Sequence, residues 1–131
     1  MARILVADDD AGQLELRCQL LAAGGHQVTP AFSPSEAMRQ LVSAELILMD
    51  LRFPNADGID DPAEGLRLIR RIRESGNRVP IVVVSGWPEY LDGQPEAQMI
   101  SRVLSKPIGF EALLRAINDT LGAAGAQAAT N

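Results

Sequence analysis

The sequence is poor in the residues that make disulfides and most transition-metal sites. Of 131 residues one is cysteine, Cys18, and one is histidine, His26. A lone cysteine excludes an internal disulfide and any zinc centre built on paired cysteines, and a lone histidine excludes multi-histidine metal sites. Basic residues are in the minority, 12 Lys and Arg against 17 Asp and Glu for a net charge of −5. That balance lacks the footprint of a nucleic-acid or anionic-membrane surface. No apolar run approaches the roughly 20 residues that span a bilayer. The opening Met1-Ala2-Arg3 leads into a short apolar stretch and three aspartates, without the anatomy of a secretory signal. The expectation is a soluble, cytoplasmic, acidic chain of one domain, with 47% apolar and 22% charged residues as in ordinary globular proteins.

Four short apolar runs are present: Ile4-Leu5-Val6-Ala7, Leu46-Ile47-Leu48-Met49, Ile81-Val82-Val83-Val84 and Val103-Leu104. Gln27-Val28-Thr29, after Gly24-Gly25, is a fifth candidate strand. The runs do not alternate with polar residues, the pattern of strands buried on both faces of a parallel sheet. Helix-length segments separate them. Leu14, Arg17, Cys18 and Leu21 recur at helical spacing before Gly24-Gly25. Ser33-Pro34-Ser35-Glu36 is a capping box, and Asp61-Pro62-Ala63-Glu64 repeats it ahead of Leu66, Ile69 and Ile72. A last helix starts near Gly109 and carries Phe110, Leu113, Leu114, Ile117 and Leu121. Between Pro88 and Ile100, Gly93 and Pro95 predict a broken helix. This alternation predicts an α/β fold, a doubly wound parallel sheet over 1–121, with 122–131 a flexible tail or the start of a linker.

In such a sheet the ligand site lies at the carboxyl ends of the strands. Here those ends are Asp8-Asp9-Asp10, Asp50, Ser85 and, just after Ser105, Lys106. Several carboxylates converging on one small volume need a cation or a proton. Oxygen-only donors select a hard ion such as Mg²⁺, which combines one or two carboxylates with a phosphate oxygen. An exposed carboxylate facing a metal and a lysine suits phosphoryl transfer onto that carboxylate. Ser85 could bond a phosphoryl oxygen, and Gly86 leaves room for the group.

Four motifs in order, Ile4 to Asp10, Leu46 to Pro54, Ile81 to Gly86 and Leu104-Ser105-Lys106-Pro107, resemble the receiver domain of two-component response regulators, the CheY-like phosphoacceptor module. The resemblance covers Arg3 to about Leu121. It implies a flavodoxin-like, CheY-like sheet of five strands in the order 2-1-3-4-5. It also implies that Asp50 takes phosphate from a histidine kinase or a histidine phosphotransfer protein, and that Ser85 and Lys106 engage the phosphoryl group. Asp8, Asp9, Asp50 and the backbone carbonyl of Arg52 would hold Mg²⁺ or Mn²⁺. The output would be altered binding of a downstream protein, with no enzyme activity beyond the domain's own phosphorylation and dephosphorylation.

Three departures from the family pattern stand out. Val103 occupies the usual aromatic switch position, so rotation of a ring cannot be the readout there. Asp57-Gly58 matches a family pair, yet Glu64-Gly65, seven positions on, fits the third helix better and leaves a long loop. The fourth helix is interrupted and lacks the usual Gly-Ala pair. The loop from Leu51 to Asp61, without structure of its own, is then the candidate route for the signal. Two rival functions are a small Mg²⁺-dependent phosphatase of the haloacid-dehalogenase type and a receiver-like interaction domain that no longer accepts phosphate. Against the first, Gly12 stands where its motif carries Thr or Val. Bland roles are assigned elsewhere. Asp10 and Asp61 cap helices, Asp57 and Asp60 solvate the loop, and Cys18 packs in its helix. His26 starts strand two, Trp87 and Tyr90 either pack on the broken helix or stand exposed as a partner-binding pair, and Arg67, Arg70, Arg71 and Arg73 form a solvated face.

Overall fold

The computed structural model describes residues 2–130. In chain order the elements are β1 (Arg3–Ala7), α1 (Ala11–Ala23), β2 (Gln27–Ala31), α2 (Pro34–Gln40) and β3 (Leu46–Met49), then β4 (Phe53–Pro54), β5 (Asp60–Asp61) and α3 (Pro62–Glu74). They are followed by β6 (Ile81–Ser85), β7 (Arg102–Ser105) and α4 (Phe110–Thr130). Short 3₁₀ turns occupy Leu41–Ser43, Pro88–Leu91 and Pro95–Gln98. The main sheet is parallel in the order β2-β1-β3-β6-β7, which is 2-1-3-4-5 when its own five strands are counted. This is the doubly wound, CheY-like arrangement expected from the motifs.

Successive strand residues point to opposite faces, so each apolar run feeds two cores. Leu5, Ile47, Met49, Ile81 and Val83 pack with Ala37, Leu68, Ile69 and Ile72 of α2 and α3. Ile4, Val6, Leu46, Leu48, Val82 and Val84 pack with Leu14 and Leu21 of α1 and Leu113 and Ile117 of α4. Burying both faces is what demands unbroken apolar runs. In the three central strands it leaves the strand ends as the place where polar residues escape that demand.

Capping follows the sequence signals. The Gln13 N–H donates to Asp10 Oδ1 at 3.0 Å, the Glu36 N–H to Ser33 Oγ at 3.1 Å and the Ala63 N–H to Asp61 Oδ1 at 2.9 Å. Each satisfies an amide that the first helical turn leaves without a partner.

Leu51 to Asp61 is not a structureless loop, contrary to expectation. It folds as an antiparallel ribbon, with Phe53 paired to Asp61 and Pro54 to Asp60. Asn55 Oδ1 accepts from the N–H groups of Asp57 and Ile59, Gly58 turns with φ +78°, and Phe53 anchors the ribbon in the core. The following helix is fixed by Gly65, whose N–H donates to the Leu51 carbonyl at 2.8 Å. A Cβ there would lie 2.3 Å from that oxygen and 2.4 Å from the Leu51 Cα. Gly65, not Gly58, is therefore the glycine that seats α3 beside the loop after β3.

Three further observations concern helices. The segment after β6 is broken as Gly93 and Pro95 predict, with Gly93 at φ +75° between two 3₁₀ turns. The arginines of α3 are not all solvated. Arg70 Nη1 donates to Glu96 Oε1 at 3.3 Å, and Arg73 donates to the carbonyls of Asn77, Val79 and Met99. These bonds hold the second 3₁₀ turn and the chain before β7 against α3. Finally, α4 keeps helical backbone through Thr130, so the tail or linker start expected from 122 is helical as far as Thr130, while Asn131 lies outside the described residues. Alanine is the best helix former, and five alanines between 123 and 129 outweigh Gly122 and Gly125.

Gly65→Ala should cost about 2–3 kcal/mol because its methyl meets backbone that cannot move aside. Gly58→Ala should cost only about 1 kcal/mol, the penalty of left-handed backbone for an L-residue. Urea denaturation of the two variants checks the ranking.

Candidate functional site

The ladder continues past the strands into the site. The Asp8 N–H donates to the Ala31 carbonyl at 3.0 Å and the Asp50 N–H to the Ala7 carbonyl at 3.2 Å. Both residues are thus held at the sheet edge with their side chains buried. Across the sheet Ser85 pairs with Ser105, and the Lys106 N–H donates to the Ser85 carbonyl at 2.9 Å. Backbone pairing alone brings the ends of β1, β3, β6 and β7 to one edge.

Side chains complete the arrangement. Lys106 Nζ donates to Asp50 Oδ2 at 2.5 Å, and the Arg52 N–H donates to Asp50 Oδ1 at 3.2 Å. Ser85 is buried, and its Oγ accepts from the Trp87 N–H at 3.0 Å, which leaves the hydroxyl proton free to donate elsewhere. Asp8, 1% exposed, has both oxygens engaged: Oδ1 accepts from the Asp10 N–H at 2.9 Å and Oδ2 from Arg17 Nη1 at 3.1 Å. Asp9 is half-buried and its carboxyl meets that of Asp60, delivered by the ribbon. Among the described residues, no three carboxylate, histidine or cysteine side chains converge as a ready-made metal cage.

Asp8, Asp9, Asp50, Ser85, Arg52 and Lys106 therefore all lie at the same edge, as the strand-end pattern implies. Two neighbours, Arg17 and Asp60, have more to do than their sequence context suggests. Arg17 stands in the buried stripe of α1 with Leu14 and Leu21. A guanidinium in an apolar stripe must find a buried partner, and that is the signal that could have drawn attention to it. Asp60 carries no such signal, because its place depends on how the ribbon folds.

The electrostatics follow from burial and crowding. Burial pushes the Asp8 carboxyl above the usual carboxylate range, and the nearby Asp50 charge adds to this. The Asp10 N–H, Lys106 and Arg17 act in the opposite direction. Asp9 is raised to about 6, by burial first, then by its contact with Asp60 and that group's charge, then by Asp8. Lys106 serves Asp50 and Arg17 serves Asp8, so Asp9 and Asp60 are the pair left without a cation.

The response regulator receiver domain family matches residues 4–118 of the chain. Response regulator receiver protein CpdR of Brucella abortus is 30% identical over 127 residues, 95% of this chain and 100% of that protein. Transcriptional regulatory protein GlrR of Escherichia coli K12 is 29% identical over 123 residues, 92% of this chain but 26% of the regulator, so the chain spans about a quarter of that protein's length. The structure of response regulator TrrA of Thermotoga maritima, described as a complex with Mg²⁺-BeF, superposes with a TM-score of 0.76 at 23% identity, covering 92% of this chain and 99% of that one. The chain belongs to the response regulator receiver domain family. It is a receiver domain of the kind found in two-component response regulators, and that family replaces the haloacid-dehalogenase reading. Among the described residues no helix is long and apolar enough to cross a membrane.

Stability should carry the mark of Asp9. Its folded value, about 6, lies above the ordinary 3.8, so the folded chain binds a proton that the unfolded chain has already released. In metal-free buffer this contribution favours the folded state below about pH 4 and is lost as pH rises toward 6. Relative to the parent, Asp9→Asn should therefore gain stability across that interval and keep a constant difference above it. Urea midpoints from pH 4 to 7 in the presence of a chelator check the sign.

Proposed function

We propose that Asp50 is the phosphoacceptor and that Asp8, Asp9, Asp50 and the backbone carbonyl of Arg52 are the oxygen donors around a Mg²⁺ or Mn²⁺ ion. The single observation that carries this reading is the charge distribution at the sheet edge. Four carboxyl groups, Asp8, Asp9, Asp50 and Asp60, meet two cations that are each already committed, and the excess negative charge beside Asp50 fits a hard divalent ion. When bound, that ion would neutralise charge on the incoming phosphoryl group.

The chain's own residues account for the rest. Asp50 has one oxygen on Lys106 and one on the Arg52 N–H, contacts that hold its carboxylate in one orientation. An Asp50 oxygen attacks the phosphorus of a phosphohistidine, a P–O bond forms as the P–N bond breaks, and the imidazole leaves. Lys106 follows the new charge from the carboxylate to the phosphoryl oxygens. The Ser85 hydroxyl, with its proton uncommitted, donates to one of those oxygens.

The donor is a histidine kinase or a histidine phosphotransfer protein in the cytoplasm, and the output is altered affinity for a downstream protein. The acidic surface argues against direct action on nucleic acid or membrane. The receiver itself occupies 1–121, with 122–131 a C-terminal tail or the start of a linker.

Incubation with acetyl phosphate and Mg²⁺ should add one phosphoryl group by intact mass, and Asp50→Asn should abolish it. A chelator should suppress the gain in the parent by at least about tenfold, since an anionic donor must approach uncompensated carboxylates. Full labelling of Asp50→Asn, or no labelling of the parent, would return the reading to an interaction domain that no longer accepts phosphate.

A further inference from the structure

Arg17 is the one charged side chain on the buried face of α1, and it ends in the site. Its side chain is 8% exposed, that of Asp8 is 1% exposed, and Nη1 lies 3.1 Å from Asp8 Oδ2. The pair is not explained by stability. Two desolvated charges seldom outperform apolar residues of the same volume, and Leu14 and Leu21 show what this face of α1 otherwise carries. Its cost is offset by something else, and its position beside Asp9 and Asp50 says what.

We infer that Arg17 is a positioning residue of the phosphoacceptor site, a built-in counter-ion that cancels the charge of Asp8 and fixes its carboxylate beside the metal. Asp8 Oδ1 accepts from the Asp10 N–H and Oδ2 from Arg17, so each oxygen keeps a lone pair, but the guanidinium offsets the charge that the carboxylate presents to a cation. Asp50 is likewise matched by Lys106, so the uncompensated charge that draws a divalent ion comes chiefly from Asp9 and its neighbour Asp60. Arg17 thereby sets an upper limit on metal affinity. It removes one negative charge from a cluster that would otherwise hold the ion more tightly than a reversible site needs.

This inference rests on the proposed phosphoacceptor site, and calorimetric titration with Mg²⁺ separates the two. Arg17→Met, which keeps the apolar fit of α1, should bind Mg²⁺ about tenfold more tightly, because it frees a buried carboxylate within reach of the ion. Asp8→Asn should bind several-fold more weakly, leaving an uncompensated guanidinium. The double variant Arg17→Met/Asp8→Asn should return to within about threefold of the parent, opposing charges having been removed together. Arg17→Lys should stay near the parent. A role in packing alone would not give single variants of opposite sign that cancel in combination.

Unchanged or weaker binding by Arg17→Met overturns the inference. If that variant does not fold, with Asp8 buried and unpaired, the double variant decides: a loss beyond about tenfold shows that Asp8 contributes far more than the charge Arg17 cancels and overturns it, and near-parental affinity upholds it. No saturable Mg²⁺ binding by the parent overturns the phosphoacceptor reading itself, and this inference with it.

Discussion

Carboxylate repulsion at one edge of a buried sheet is the constraint on which the rest of this molecule depends. Parallel pairing leaves no choice about where the strands end, so Asp8, Asp9 and Asp50 are brought together by hydrogen bonds made elsewhere, between residues that never approach a ligand. The fold must then hold like charges at close quarters in a poorly solvated place. It does so with one cation from each side. Arg17 reaches in from α1, and Lys106 reaches in from the end of β7. What the two cannot neutralise is the part of the site that stays receptive to an added positive charge. Recognition of a cation is in this sense a remainder, the charge left over after the protein has made itself foldable.

The ribbon after β3 adds to that remainder. A loop without structure could let Asp60 drift away from Asp9. An antiparallel pair with Phe53 in the core and Asn55 closing the turn keeps the two carboxyls together. Gly65 secures the other end, since α3 can approach the loop only where no side chain intervenes. Insertion and acidic edge are therefore one mechanical unit, and the raised proton affinity of Asp9 is its electrostatic trace.

The order of the elements and the residues at the strand ends are legible in the sequence because each is dictated by a strong, local rule. Two-sided burial demands apolar runs, helix starts demand Ser33 and Asp61, and a parallel sheet gathers its ends. Gly93 and Pro95 mark the broken helix for the same reason. The features that escape are those decided by contacts across the fold. The residues around the ribbon's turn bond to one another only once Phe53 is buried. Arg70 and Arg73 look like solvated positions until the chain before β7 supplies Glu96 and the Met99 carbonyl, and the loop after α3 the carbonyls of Asn77 and Val79. Arg17 falls in an apolar stripe where helical phase alone predicts packing, although its charge is the more informative property. The helical backbone beyond Leu121 reflects alanine's intrinsic preference, which the small-residue composition there disguises as a linker.

The two 3₁₀ turns between β6 and β7 have a mechanical meaning. A continuous helix behaves as a rod, and a push at one end arrives at the other. Here the rod is replaced by two short links joined at Gly93. The first link hangs from Ser85 through the Trp87 N–H, and the second is clamped to α3 by Glu96, 2% exposed and bonded to Arg70. Between the site and the clamp the chain therefore passes through a joint and not through a rigid helix. Val103, 41% exposed on the neighbouring strand, offers no bulky lever to carry a push across. The part of the segment not clamped to α3 is thus short and lies next to the site, around Trp87 and Tyr90, while its far side is tied to the body of the domain.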